Sequence, residues 1–138
     1  MIELVDTSAL ILAARRPDVG GLLGDMLSTD EVAICELIML EYLNGARNED
    51  EYDRFERGLR AARVVRTSAA EWDRALEVHR ELARTGPGHQ RSVRIADLII
   101  AAVGERNGLP IVPYDKDFER IAALTGQPTR WVVPRGTA

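Results

Sequence analysis

A small set of carboxylates stands beside apolar or turn sequence, while most of the 22 acidic residues lie in polar runs typical of a solvated surface. The set comprises Asp6, Glu41, Asp97, Asp115 and Asp117. Carboxylates that converge repel one another unless a cation neutralises them. Carboxylate oxygens suit hard divalent cations such as Mg²⁺ and Mn²⁺, which activate water and stabilise charge on a phosphoryl group. If the set converges, it predicts a metal site for phosphoryl chemistry.

Asp97 is the most unusual of these acids. It lies within residues 93–103, a stretch so apolar on all sides that it predicts a buried helix. A charged carboxylate there strongly opposes folding unless it is paired or bound to a metal. Two interpretations therefore stay open: a metal ligand, or an ion pair with Arg91 or Arg94.

The remaining acids also have structural alternatives. Asp6 follows a predicted strand and could simply cap the next helix. Glu41 shares a predicted helix face with apolar neighbours, but it could reach water from the helix edge. Asp115 and Asp117 precede a predicted helix, where capping and the helix dipole favour acids in any case.

Other metal and redox chemistry is disfavoured by the residues available. Cys35 is the only cysteine, so a single chain cannot form an internal disulfide or a cysteine-based zinc site. His79 and His89 lie on an amphipathic helix and in a Gly-Pro-Gly loop, and both are interpreted as surface residues. Zinc hydrolysis is therefore not expected.

The elements that must position the acids alternate between short apolar runs and longer helical segments. Strands are predicted at residues 2–5, 32–35, 64–65, 111–112 and 131–133. Helices are predicted at residues 9–14, 22–27, 36–47, 51–62, 68–84 and 117–124. A further, strongly apolar helix is predicted to begin at Ser92 or Arg94 and to end near residue 107. Thr7 or Ser8 is the expected cap of the first helix, Pro17 is expected to break it, and Ser68 with Glu71 forms a capping box. This order predicts an α/β fold with a mainly parallel sheet of about five strands and chemistry at their carboxyl ends.

Length, composition and charge limit the classes of protein to which this chain can belong. A chain of 138 residues with 46% hydrophobic residues predicts one globular domain, residues 1–138. A net charge of −4 argues against binding nucleic acid by bulk positive charge, although nucleic acid remains open as a substrate. The apolar runs are too short for a membrane helix, and the N-terminal stretch lacks the basic start of a signal peptide. The cytoplasm is the expected location.

Four segments, in this order, resemble the PIN-domain family and specifically its VapC-type toxins of toxin–antitoxin pairs. They are Leu4-Val5-Asp6-Thr7-Ser8-Ala9, Leu40-Glu41-Tyr42-Leu43-Asn44-Gly45, Ile95-Ala96-Asp97-Leu98-Ile99-Ile100-Ala101-Ala102 and Tyr114-Asp115-Lys116-Asp117-Phe118. Each motif is weak alone, but the ordered set is specific and spans essentially the whole chain. Pro113 departs from the pattern, since related sequences often carry Thr or His there.

The resemblance implies a three-layer α/β/α sandwich and a Mg²⁺- or Mn²⁺-dependent endoribonuclease that cleaves RNA, such as tRNA or rRNA, with a metal-activated water. Asp6, Glu41, Asp97 and Asp115 match the family's catalytic and metal-binding quartet, and Asp117 matches an auxiliary metal-binding acid. Thr7 matches a hydroxyl residue that supports the first Asp.

The resemblance also implies partners: an inhibitory VapB-type antitoxin, and a second copy of the chain in a homodimer. Arg91 and Arg94 flank the start of the Asp97 helix and could hold RNA phosphates, or could instead form intramolecular ion pairs or a solvated loop. One alternative function is a degenerate PIN domain that binds RNA or protein without catalysis. A receiver domain is disfavoured because no phosphoacceptor Asp follows residues 64–65.

Overall fold

The computed structural model describes residues 1–137 and contains a sheet of four parallel strands in the order β3-β2-β1-β4. The strands are β1 (Glu3–Val5), β2 (Val32–Cys35), β3 (Arg63–Val65) and β4 (Ile111–Val112). The chain steps outward from β1 through β2 to β3 and then returns to place β4 on the other side of β1. A parallel sheet opens a crevice at such a reversal, outside the carboxyl ends of the two strands.

Helices cover this sheet in two packed groups. They are α1 (Thr7–Arg15), α2 (Pro17–Ser28), α3 (Glu36–Leu43), α4 (Glu49–Leu59), α5 (Ala69–Arg84), α6 (Ile95–Arg106) and α7 (Asp117–Thr125), with a short 3₁₀ helix at His89–Ser92. In one group α1 packs on α2 and α3, and α3 packs on α4; in the other, α5, α6 and α7 pack on one another. The α/β sandwich expected from the sequence is confirmed.

Three of the four strands are buried because helices cover the sheet. Every residue of β1, β2 and β4 is buried, as is α6 from Asp97 to Gly104. Such continuous apolar runs are typical of a parallel sheet covered on its faces. The core thus holds the first turn of α6 rigidly beside the ends of β1 and β4.

The predicted fifth strand, residues 131–133, is wrong. The segment runs alongside β4, where the main-chain N–H of Arg130 donates to Ile111 O (3.0 Å) and that of Val132 donates to Pro113 O (2.9 Å). Only one isolated bridge forms, between Ile111 and Thr129. Pro113 has no N–H to give in return, so a regular ladder cannot continue.

Most helix boundaries differ from the sequence prediction by one to five residues, and three differences have a clear physical meaning. Pro17 does not simply break the first helix but begins α2, where its missing N–H is harmless. The third helix ends at Leu43 rather than at residue 47. The cap of α1 is Asp6, not Thr7 or Ser8.

The capping box of α5 is confirmed, since Ser68 N donates to the Glu71 carboxylate at 2.7 Å. Within residues 1–137, no helix is both long and apolar enough to cross a membrane.

Candidate metal centre

The predicted acids meet at the carboxyl ends of β1 and β4. Asp6 directly follows β1, Asp115 lies just beyond β4, Asp117 is the first residue of α7, and Asp97 lies in the first turn of α6. One carboxylate oxygen from each of Asp97, Asp115 and Asp117 lies within 4.8 Å of the other two. The crevice expected at the reversal of the sheet therefore contains an acidic cluster.

Asp6 is fixed by one of its oxygens. Its Oδ2 accepts hydrogen bonds from the Ser8 main-chain N–H (3.0 Å) and from Ser8 Oγ (2.6 Å), which caps α1. Its Oδ1 is buried and has no hydrogen-bond partner among the described residues. Burial raises the pKa of Asp6, and the hydrogen bonds from Ser8 oppose that rise. The capping hydrogen bonds therefore use one oxygen of the carboxylate and leave the other without a partner.

Asp97 is buried, with 1% of its surface exposed, and its Oδ2 also lacks a partner in the described part of the chain. The ion pair with Arg91 or Arg94 that the sequence left open does not form within residues 1–137; the guanidinium of Arg94 binds Glu41 instead. Burial, followed by the negative charge of Asp6, raises the pKa of Asp97 to about 8. Without a cation, the site disfavours a charged Asp97.

Asp115 and Asp117 are each held by a main-chain donor. The N–H of Asp117 donates to Asp115 Oδ1 at 2.9 Å, and the N–H of Arg94 donates to Asp117 Oδ2 at 3.0 Å. Asp115 thus accepts from the first N–H of α7, although the residue at the cap position itself is Lys116. A side-chain hydrogen bond between Asp117 and Asp97 also contributes to the raised pKa of Asp97.

Glu41 lies on α3 beside this cluster. Thr7 Oγ1 donates to Glu41 Oε1 at 2.9 Å, and the guanidinium of Arg94 binds Glu41 Oε2. The negative charge of Glu41 contributes to the raised pKa of Asp6, which places the two carboxylates within electrostatic reach. Thr7, expected beside the first Asp, bonds Glu41 in this structure, and Ser8 holds Asp6.

Sequence reasoning missed Ser8 as a site residue. Its signal was available, because a Ser two positions after a strand-end Asp commonly hydrogen-bonds that residue's side chain in a capping turn. Arg91 lies exposed on the 3₁₀ helix that leads into α6.

The donor set fits a hard divalent cation. Two buried carboxylate oxygens, Asp6 Oδ1 and Asp97 Oδ2, lack the partner that buried acceptors normally have. Asp115 and Asp117 add further oxygens, and all of these ligands are of the kind that Mg²⁺ and Mn²⁺ prefer. Fold and site together describe an α/β domain with an acidic crevice at its switch point, whose carboxylates could hold a divalent cation.

Comparison with known proteins agrees with this class. The family model described as the PIN domain matches residues 4–124. Ribonuclease VapC18 of Mycobacterium tuberculosis is 44% identical over 137 residues, covering 99% of this chain and 99% of the relative. Ribonuclease VapC51 of the same organism is 41% identical over 134 residues, covering 97% and 95%. The chain therefore belongs to the PIN-domain family, in the group of the VapC ribonucleases.

Solved structures show the same fold. The crystal structure of VapBC2 from Rickettsia felis bound to a promoter DNA fragment contains a chain that aligns with a TM-score of 0.76 at 17% identity, covering 95% of this chain and 98% of that one. The DNA-bound VapBC structure from Salmonella typhimurium gives 0.75 at 20% identity, covering 96% and 100%.

Proposed function

We propose that this protein is a Mg²⁺- or Mn²⁺-dependent endoribonuclease toxin of the VapC type, whose natural substrate is a structured RNA such as tRNA or rRNA. The observation that carries the proposal is that two buried carboxylate oxygens, Asp6 Oδ1 and Asp97 Oδ2, have no partner among the described residues. Asp97 groups with Asp115 and Asp117 within 4.8 Å, and the negative charge of Asp6 raises the pKa of Asp97. The substantial identity to proteins named ribonucleases supports RNA as the substrate class. Because such RNAs are cytoplasmic, the proposal places the protein there.

The cation would be held by Asp6, Asp97, Asp115 and Asp117, with Glu41 at the edge of the group. A divalent cation in such a site lowers the pKa of water and stabilises negative charge on a phosphoryl group. The chain supplies the rest of the preorganisation, because Ser8, Asp117 and Arg94 donate hydrogen bonds that fix the carboxylates. The buried residues around Asp97 exclude bulk water. The resulting lower dielectric constant strengthens every electrostatic interaction inside the site.

Arg94 is the side chain best placed to bind a scissile phosphate. Its guanidinium lies at the solvent side of the acids, with about half of the side chain exposed, and a guanidinium binds phosphate by two parallel hydrogen bonds. Arg91, exposed three residues earlier, offers a second positive charge for the RNA backbone. Arg94 forms an intramolecular ion pair, one of the alternatives that the sequence left open, and its exposure leaves the guanidinium accessible to a phosphate.

The test is cleavage of purified tRNA by purified protein in Mg²⁺ or Mn²⁺. Cleavage should stop when EDTA is added and in the variants Asp6→Asn and Asp97→Asn, whereas Asp25→Asn, on the exposed surface of α2, should cleave normally. Cleavage that persists in both site variants would contradict the assignment of the metal centre.

The alternative of a degenerate, RNA-binding PIN domain gives a different result in the same assay. Wild-type protein would then retain labelled RNA on a filter but leave it intact at every cation concentration. The complete set of acids argues against this alternative, since a binding module gains nothing from carboxylates that repel phosphate.

We infer that a VapB-type antitoxin controls the enzyme. The relatives with the same fold were solved as VapBC assemblies, and an inserted basic side chain would complement the buried acids. A small basic protein encoded beside this gene should co-purify with the chain and abolish RNA cleavage. Failure of that neighbour to bind would remove the inference without affecting the nuclease proposal.

We also infer a homodimer. Ile95 is 70% exposed and lines an apolar groove together with the exposed Trp72 and Leu76 of α5. Leu40, on α3, is 62% exposed. Exposed apolar clusters of this kind are typical of self-association. Light scattering of the purified chain should give twice the mass of 15.3 kDa, and Leu40→Glu with Ile95→Glu should give the monomer mass.

A further inference from the structure

The C-terminal segment, residues 131–137, wraps around the side chain of Tyr114; we refer to it as the strap. The ring of Trp131 packs edge-on against the ring of Tyr114, with 5.2 Å between centroids and 88° between planes. Five residues further on, the main-chain N–H of Gly136 donates to the Tyr114 hydroxyl at 3.0 Å. The strap therefore contacts both the ring and the hydroxyl of one tyrosine.

Anchors at both ends hold the strap in place. Trp131 Nε1 donates to Glu119 Oε1 on α7 at 2.8 Å. At the other end, Arg16 Nη1 donates to the carbonyl oxygen of Thr137 at 2.7 Å. The guanidinium of Arg135 lies 5.5 Å from the centre of the Trp131 ring. A short, irregular segment with this many anchors is a built element of the fold rather than a loose end.

Tyr114 connects the strap to the metal centre through its backbone. Its main-chain N–H donates to Ser8 Oγ at 2.9 Å, and Ser8 Oγ lies 2.6 Å from Asp6 Oδ2. A backbone N–H can only donate, so the Ser8 hydroxyl must accept from Tyr114. The hydroxyl hydrogen of Ser8 is then directed at Asp6.

The direction of the Ser8 hydroxyl determines which oxygen of Asp6 is left for a cation. Oδ2 receives two hydrogen bonds, from the main chain and the hydroxyl of Ser8, while Oδ1 stays buried without a partner in the described chain. A ligand carboxylate fixed in this way does not have to be ordered when a cation binds, and outer residues that orient ligands affect metal affinity strongly.

We propose that the strap, Tyr114 and Ser8 are positioning residues of the metal centre, which act through one hydrogen-bond chain to present Asp6 Oδ1 to the cation. The inference rests on the proposed function, because it presumes that the acids bind a divalent cation. It goes further in assigning a binding role to a segment that lies outside the acidic crevice.

The experiment measures Mn²⁺ affinity by isothermal titration calorimetry, together with the melting temperature, on the full chain. Ser8→Ala should weaken Mn²⁺ binding about tenfold, as is typical when an orienting residue outside the ligand set is lost. Ser8→Thr keeps the hydroxyl and should restore affinity to within about threefold of wild type. Trp131→Ala and Tyr114→Phe should each weaken binding by about three- to tenfold, because they loosen the strap without touching a carboxylate.

Matched controls separate positioning from stability. Ser28→Ala removes a hydroxyl that only bonds Asp25 O at the end of α2, and Trp72→Ala removes the exposed tryptophan of α5. Both should bind Mn²⁺ like wild type, whatever their melting temperatures.

If Trp131→Ala and Tyr114→Phe bind Mn²⁺ as tightly as wild type, with or without a lower melting temperature, the strap has only a structural role. That result would overturn the proposal. Unchanged affinity in Ser8→Ala would overturn it as well. If wild-type protein itself binds no Mn²⁺, the proposed function fails, and that outcome differs from selective loss in the variants.

Discussion

Arg94 and Glu41 form an ion pair across the acidic crevice, although 53 positions separate them along the chain. The same Arg94 donates its main-chain N–H to Asp117 and lies within electrostatic reach of Asp97 and Asp6. Arg94, at the start of α6, thus contacts two acids of the site and places its positive charge within reach of three. On the proposed function, a cation that entered the site would compete with this charge, and an arriving phosphate would give the guanidinium a new partner.

We expect Arg94→Ala to lower kcat/KM for RNA by about ten- to a hundredfold, because one charge-assisted hydrogen bond contributes about 1.5–3 kcal/mol. The salt dependence of RNA binding should also become shallower, by about 0.7 in the log–log slope for a single-stranded segment. Mn²⁺ affinity should rise, since a competing positive charge is gone. Arg80→Ala, on the exposed face of α5, serves as the control and should change none of these quantities. Weaker Mn²⁺ binding in Arg94→Ala would contradict the competition.

Asp97→Asn should separate catalysis from folding. We expect RNA cleavage to fall at least about a hundredfold, because a buried ligand to the cation becomes a neutral amide. In EDTA at pH 8, the melting temperature should instead rise by a few degrees, since the substitution removes a buried charge that neighbouring acids repel. Scanning calorimetry of both proteins, with and without Mg²⁺, measures the two effects. A lower melting temperature of Asp97→Asn in EDTA would show that its carboxylate stabilises the empty fold.

The metal-free protein should lose stability as pH rises. The pKa of Asp97 is about 8 in the folded chain and lies near 3.8 when the chain is unfolded. Between these values the folded state holds a proton that the unfolded state has released, so the free energy of unfolding decreases with pH across this window. Urea denaturation in EDTA at pH 5 and pH 8 should show a loss on the order of a few kcal/mol. Asp97→Asn should flatten this part of the profile; an equally steep decline in that variant would assign it to other groups.

The candidate ligands could be selected from the sequence because their chemistry conflicts with their surroundings. An aspartate in the apolar run that becomes α6, and aspartates beside the ends of β1 and β4, are conspicuous in the sequence itself. What holds those ligands was not predictable. The pairing of Arg94 with Glu41 depends on how α3 and α6 pack, and the link from Tyr114 to Ser8 joins residues 106 positions apart. Contacts of that range depend on tertiary geometry, which local patterns do not carry.

Some helix and strand boundaries were predicted wrongly, and in two cases a proline is the reason. Pro17 is compatible with two predictions, a break in a helix or the first residue of a new one. Which of them holds depends on where the preceding helix ends. Residues 131–133 have the composition of a strand, but Pro113 on the neighbouring segment cannot return a hydrogen bond. In both cases the outcome depends on a proline, which has no N–H to donate to a helix or a ladder.

Gly104 should be required where α6 crosses β4. A Cβ built at this position would lie 2.6 Å from Ile111 Cδ1 and 3.0 Å from Leu109 O, and the latter is backbone that cannot easily move. Gly104→Ala gains about 1 kcal/mol of helix propensity, but overpacking of a filled core loses about 1–3 kcal/mol, so we expect net destabilisation. Gly24→Ala in α2 is the matched control, because its Cβ would meet no atom within 4 Å, and it should be stabilising. Urea denaturation of the two variants beside wild type should therefore move their midpoints in opposite directions, and equal gains in both would show that α6 and β4 have room between them.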